Sequence, residues 1–214
     1  TGLPNRSAFI EDLNRALKER NGFGEVLCAA TLNLDRFKLV NEQVGNVNGD
    51  RILLLIGRRI EETIGEDARL YRTGGDEFSI LTPLPAPPRL REKAENLMEN
   101  IHKAVGVPCP VGSDTIFPSV SIGVVPDIFR CASPSDVVNR AHQALKEAKK
   151  AGLGFTSFHY GDNDGSVPET VNILRLSAEM NAGLEKGEFI PFYQPIYSTS
   201  DGSITGFETL ARWM

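Results

Sequence analysis

Cysteine is scarce in this 214-residue sequence: Cys28, Cys109 and Cys131 lie too far apart to suggest a zinc site. Their odd, low count argues against a disulfide framework and makes the reducing cytoplasm the expected compartment. No run approaches the roughly 18 apolar residues a membrane span needs, and no signal peptide is visible. A basic excess is missing too, with 23 Lys and Arg against 28 Asp and Glu and a net charge of -5. That balance gives no reason to expect binding to a DNA or RNA backbone. The histidines His102, His142 and His159 form no ligand spacing and read as surface or packing residues. No nucleophile–base pair can be recognised locally.

What is present is ordinary for a globular protein, 41% apolar and 24% charged, long enough for one domain with a full core and a little more. The sequence opens inside a turn-like Thr1-Gly2-Leu3-Pro4-Asn5-Arg6 and stops at Trp213-Met214 without an ending signal. A longer parent is expected, and membrane attachment of that parent stays open.

Asn5 or Ser7 can cap a helix whose apolar face is Phe9, Ile10, Leu13, Ala16 and Leu17, broken at 21–24. Residues 26–34 are almost unbroken apolar and predict a buried central strand. A short helix near Phe37, Leu39 and Val40 and a longer one from Gly49-Asp50 to Ile60 follow. Short strands at 70–73 and 78–81 are joined across Gly74-Gly75-Asp76-Glu77, a hairpin whose glycines permit positive backbone angles. Residues 83–88 read as a loop, because four prolines in six positions oppose a central strand. A helix over 89–105, a strand over 117–125, a helix from Ser133-Pro134 to Lys150 and an edge strand over 155–160 complete the unit. This mixture predicts an α/β or α+β sheet with helices packed on it.

Residues 161–166 are polar, glycine-bearing and aperiodic, as a linker is. A helix over 168–185 and strands over 189–196 and 204–210 around Thr199-Ser200-Asp201-Gly202 then begin a second unit, with too little apolar surface for a domain of its own.

Asn33 and Asp35, at the end of the buried strand, and the Asp76-Glu77 pair are the candidate site. Strand alternation puts Asn33 and Asp35 on one face. Adjacent carboxylates in a tight turn repel, so a cation between them is favourable, and hard oxygen donors of this kind suit Mg²⁺. Ordinary turn chemistry explains Asp76 and Glu77 equally well, and Lys149 and Lys150 suit a helix C-terminus whatever else they do.

The string Arg72-Thr73-Gly74-Gly75-Asp76-Glu77-Phe78 resembles the signature hairpin of the GGDEF family. Leu34-Asp35-Arg36-Phe37-Lys38 with Asn41, Gly45 to Asp50, Ser119-Val120-Ser121-Ile122-Gly123, and Ala144-Leu145 with Ala148-Lys149 stand in family order and spacing. The resemblance covers residues 1–160 and implies an α+β, nucleotidyl-cyclase-like palm fold, its central, mostly antiparallel sheet flanked by helices. Members condense two GTP molecules into cyclic di-GMP between two facing domains, with Mg²⁺ or Mn²⁺, so a homodimer is also implied. Metals in such chemistry activate the attacking hydroxyl and neutralise charge on the phosphate.

The resemblance makes Asp76 and Glu77 the catalytic, metal-binding acids, and Gly74 and Gly75 the turn against the nucleotide. It gives Leu34 a metal-touching backbone carbonyl, Phe37, Lys38 and Lys149 phosphate contacts, and Asn41 and Asp50 the guanine edge. Departures are equally specific. Asn33 stands where active members have aspartate, Asn46 for a histidine, His142 for an aspartate, Lys146 for a tyrosine and Leu153 for an arginine. The product-inhibition motif would fall on Gly65 and Ala68 and is absent. These losses strike the metal and triphosphate region and spare guanine recognition. The expectation is a degenerate, GTP-binding regulatory domain with little or no cyclase activity; the rivals are a working diguanylate cyclase and an interaction domain that binds no nucleotide.

Residues 192–196 and 206–213 resemble the start of an EAL domain, the cyclic di-GMP phosphodiesterase barrel. There Glu208 matches a metal ligand, and Gln194 and Arg212 match substrate-holding residues. The expected organisation is a GGDEF domain over 1–160, a linker over 161–168, and from 169 to 214 a helix and the first residues of an EAL domain, the partner within the parent chain.

Overall fold

The computed structural model describes residues 1–19, 24–112, 114–160 and 186–213. The linker at 161–168 and the helix at 168–185 lie outside the described residues, as does most of the break at 21–24. The chain divides into two compact units, Thr1–Thr170 and Val171–Met214.

The first unit is an α+β fold. Helix α1 (Arg6–Glu19) leads into strand β1 (Glu25–Leu34), followed by α2 (Phe37–Val44), α3 (Asn46–Ile64), β2 (Arg69–Arg72) and β3 (Glu77–Pro85). Then come α4 (Leu90–Val105), β4 (Cys109–Val111), β5 (Asp114–Ile116), β6 (Val120–Val125), α5 (Pro134–Ala151) and β7 (Thr156–Phe158). The main sheet runs β2-β3-β1-β6-β7, antiparallel except for the β6–β7 pair. Asn5 caps α1 by accepting from the Ala8 N–H at 3.1 Å. Ser133 caps α5 by accepting from the Asp136 N–H at 3.2 Å, with Pro134 in the first turn, where its missing N–H costs nothing.

Alternation along the strands builds a core on each face. Ala30, Leu32, Phe78, Ile80 and Ile122 turn towards α3 and α4, against Ile52, Ile56, Met98 and Ile101. Ala29, Tyr71, Leu81 and Val125 turn towards α1 and α5, against Phe9, Leu13, Val137 and Ala141. Each fully buried Leu or Ile contributes about 1.5–3 kcal/mol by leaving water. Helix α5 lies very close to β6 because Gly123 has no side chain: a Cβ there would collide with the Ala141 carbonyl and the Leu145 N–H. That close approach carries His142 and Lys149 over the ends of β1 and β3.

Two sequence expectations need correction. Residues 83–85 are strand, not loop: Pro83 pairs with Leu27 and Pro85 with Glu25. The Ala86 N–H donates to the Gly24 carbonyl at 2.9 Å, so positions 82, 84 and 86 face β1 and the two prolines face outward. The β2 ladder has already ended, at Leu81, so their missing N–H groups forfeit no ladder bond. Residues 117–119 are not strand, and Phe117 is exposed; the small β4–β5 hairpin precedes them. Its three-residue strands are too short to show periodicity.

The second unit is described as a two-stranded antiparallel hairpin, β8 (Phe189–Tyr197) and β9 (Ile204–Trp213). Among the described residues, no helix is long and apolar enough to cross a membrane.

Candidate functional site

The expected site residues gather at one end of β1, β3 and β6, but the sheet sorts them onto two faces. On the α2–α3 face lies an open cleft of about 380 Å³, lined by Phe37, Lys38, Asn41, Asp50, Gly75 and Asp76. That size is within the range of small-ligand sites. Arg36 turns the chain from β1 into α2 with a left-handed backbone, φ 53°. Phe37 and Lys38 therefore occupy the first turn of α2, where helix N–H groups lack intrahelical acceptors and suit an anion. Asn41 packs its amide against Gly49, where a Cβ would run into it, and its Oδ1 is buried with no hydrogen-bond partner. Asp50 stands exposed at the cleft. Arg72 also lines it, and its Nη2 donates to the Gly75 carbonyl at 2.8 Å, pinning the hairpin turn.

On the α5 face, Asn33 sits directly opposite Glu77 on one side and Ser121 on the other. Lys149 Nζ donates to Asn33 Oδ1 at 2.7 Å. Thr73 Oγ1 donates to Glu77 Oε1 at 2.9 Å, and His142 Nε2 lies 3.2 Å from Glu77 Oε2. His142 Nδ1 is 3.0 Å from the Val138 carbonyl, so both ring nitrogens face acceptors and the doubly protonated imidazolium satisfies both. The Glu77 hydrogen bond raises the His142 pKa from its ordinary value, with burial opposing it. In return, the His142 hydrogen bond holds the Glu77 carboxyl below the usual range, again against burial, with Thr73 helping. Asp35 accepts from Ser121 Oγ at 2.6 Å, Ser119 Oγ at 2.8 Å and the Gly154 N–H at 2.9 Å. It is a structural clasp between β6 and the turn after α5.

This donor set fits a divalent metal poorly. Among the described residues no three His, Cys, Asp or Glu side chains converge as a metal site. Asn33 offers a neutral oxygen that already accepts from an ammonium, and Glu77 is held by an imidazole and a hydroxyl. The Leu34 N–H donates to the Asp76 carbonyl at 3.0 Å, tying β1 to the hairpin.

Several sequence expectations change here. Asp76 and Glu77 do not converge on a cation between them. Asp76 lines the cleft, while Glu77, the first residue of β3, turns to α5. Neither Gly74 nor Gly75 takes a positive φ. Gly74 is small for another reason: a Cβ there would lie 3.0 Å from the Glu77 Cβ, whereas at Gly75 it would meet open space. His142, read as a surface or packing residue, is the partner of Glu77. Only the fold could reveal that pairing, since 65 positions separate the two. Leu153 is 45% exposed and Gly65 ends α3. In the second unit Gln194 pairs with Glu208 across the hairpin and Arg212 with Ile190, and the three candidate side chains are exposed.

Comparison with known proteins agrees with this fold. The family model described as diguanylate cyclase, GGDEF domain, matches residues 1–154. The cyclic di-GMP phosphodiesterase NbdA of Pseudomonas aeruginosa is 27% identical, over 100% of this chain and 26% of that protein. The bifunctional diguanylate cyclase/cyclic di-GMP phosphodiesterase MucR of the same organism is 26% identical, over 100% of this chain and 30% of that protein. The chain thus spans under a third of either relative's length. The crystal structure of the GGDEF domain of YfiN from Pseudomonas aeruginosa superposes with a TM-score of 0.67 at 29% identity, covering 75% of this chain and 99% of that one. With the family model matching most of its length and the palm-like sheet in place, the chain belongs to the GGDEF domain family.

Proposed function

We propose that the first unit is a degenerate GGDEF domain that binds GTP in the α2–α3 cleft and condenses it slowly or not at all. The observation carrying this reading is the split between its two faces. The cleft keeps Asn41, with an unpartnered buried oxygen, and Asp50, whose carboxylate can accept from a guanine edge. On the other face, the oxygens of Asn33 and Glu77 are engaged by Lys149, His142 and Thr73. Mg²⁺ or Mn²⁺ then arrives with the nucleotide's phosphates instead of resting in a protein cage. The domain acts as a regulator within a longer chain, over 1–160, followed by a linker over 161–168 and the start of an EAL domain. The resemblance of 192–196 and 206–213 supports that arrangement, as does the alignment of this whole chain with relatives named as phosphodiesterases.

Calorimetry with GTP and Mg²⁺, paired with a product assay on a form of the protein able to dimerise, tests the proposal. Micromolar GTP binding with no cyclic di-GMP is the expected result. Rapid cyclic di-GMP formation overturns the degenerate reading, and absence of GTP binding overturns the nucleotide reading.

A further inference from the structure

At the far end of β6 from Asn33 lies a second cavity, which GTP binding leaves unused. Four residue steps along β6, from Ser121 to Val125, separate the two, about 14 Å along an extended strand. The cavity has a volume of about 140 Å³ and opens to solvent, room for an aromatic ring whose polar end reaches the mouth. Pro87, Pro88, Val125 and Pro126 form apolar walls. Arg91, Arg130 and Arg140 line it as well, beside Leu90, Cys131, His159 and Tyr160, with Asp127 the one carboxylate among the lining residues.

Two of those cations are held by acids outside the lining, and Arg130 by groups within it. Arg140 Nε donates to Asp136 at 2.8 Å and Arg91 Nε to Glu95 at 3.0 Å, and neither acid lines the cavity. Arg130 donates to the Tyr160 carbonyl at 3.4 Å and approaches Asp127 at 3.5 Å. The lining therefore carries more positive than negative charge beside flat apolar faces. Guanidinium planes stack on aromatic rings and pair with carboxylates, so the two halves of the lining call for two halves of one ligand. We propose that this cavity binds a small planar organic anion of the aromatic carboxylate class, ring against the prolines and carboxylate towards the arginines.

The cavity contains its own reporter. Cys131 lines it and is half-buried, whereas the other two cysteines, Cys28 and Cys109, are 0% and 1% exposed. Alkylation of Cys131 by iodoacetamide, followed by mass spectrometry on the full chain, reads occupancy directly. The probes are 2-naphthoate and its uncharged amide. Naphthoate is expected to slow alkylation saturably at concentrations where the amide does not. Arg130→Ala, at a side chain 57% exposed, should raise the half-saturating concentration about tenfold, the loss of one charge-assisted hydrogen bond. Arg91→Ala, also at an exposed side chain, should do the same, and unchanged circular dichroism certifies the fold of each. Equal protection by acid and amide, no protection at roughly 10 mM naphthoate, or undiminished protection in both variants overturns the proposal.

Discussion

Lys149 and Asn33, 116 positions apart, are joined by a 2.7 Å hydrogen bond from ammonium to amide oxygen. The contact places the Lys149 ammonium of α5 against the end of β1, beside the oxygen donors of the hairpin. Asn33→Asp turns it into an ion pair and restores a carboxylate to the site. Its Mg²⁺-dependent part of GTP affinity should rise by roughly 1.5 kcal/mol, about the worth of a hydrogen bond to a charged group. Joining it with Leu153→Arg should add a phosphate contact. Calorimetry with and without Mg²⁺ decides; identical affinities for wild type and the double variant would remove both positions from the nucleotide site.

Guanine selectivity should rest on Asp50. Asp50→Ala removes the exposed carboxylate of the cleft and should weaken GTP binding by about 2 kcal/mol, with little effect on ATP. Equal GTP and ATP affinity in wild type would show that this carboxylate reads nothing.

The Glu77–His142 pair makes stability depend on pH in a stated direction. The His142 pKa is raised above 6.5, so its contribution is complete below that value and lost as pH rises through the raised one. The Glu77 pKa is lowered below 4.5, so its contribution is complete above that value and lost as pH falls through the lowered one. The pair is therefore strongest between about pH 4.5 and 6.5. His142 is 41% exposed, and water screens the pair to about 1 kcal/mol or less. Urea unfolding at pH 6 and pH 9 should show wild type losing stability relative to His142→Gln at the higher pH. Parallel curves for the two proteins would exclude the ion pair.

Gly123→Ala should cost about 2 kcal/mol or more, because the new methyl meets backbone of α5 that cannot swing aside. Urea midpoints measure it. A loss below about 0.5 kcal/mol would mean that α5 lifts off β6 without resistance.

Much of this was legible in the residues. Helical spacing located α1, α3, α4 and α5, and Ser133-Pro134 marked where α5 begins. Phe37, Lys38, Asn41, Asp50, Gly75 and Asp76 do line one cleft. Periodicity failed where elements were short, as in β4 and β5, and where proline composition outweighed position, as at Pro83 and Pro85. The division of Asp76 from Glu77 follows from strand alternation, but only once β3 is known to begin at Glu77. The attachments of Lys149 and His142 had no local signal at all. They depend on the depth to which α5 settles at Gly123, and that depth is a property of packing.

Pro83 and Pro85 have a consequence outside the fold itself. Where β3 runs past the end of β2, its outer flank offers carbonyls but, at those two positions, no N–H groups. An incoming strand from another molecule would find half of its ladder missing there. The overhang that lets β3 meet the full length of β1 is thereby closed to sheet extension, and the domain is guarded against edge-to-edge aggregation at the place where β2 leaves it bare.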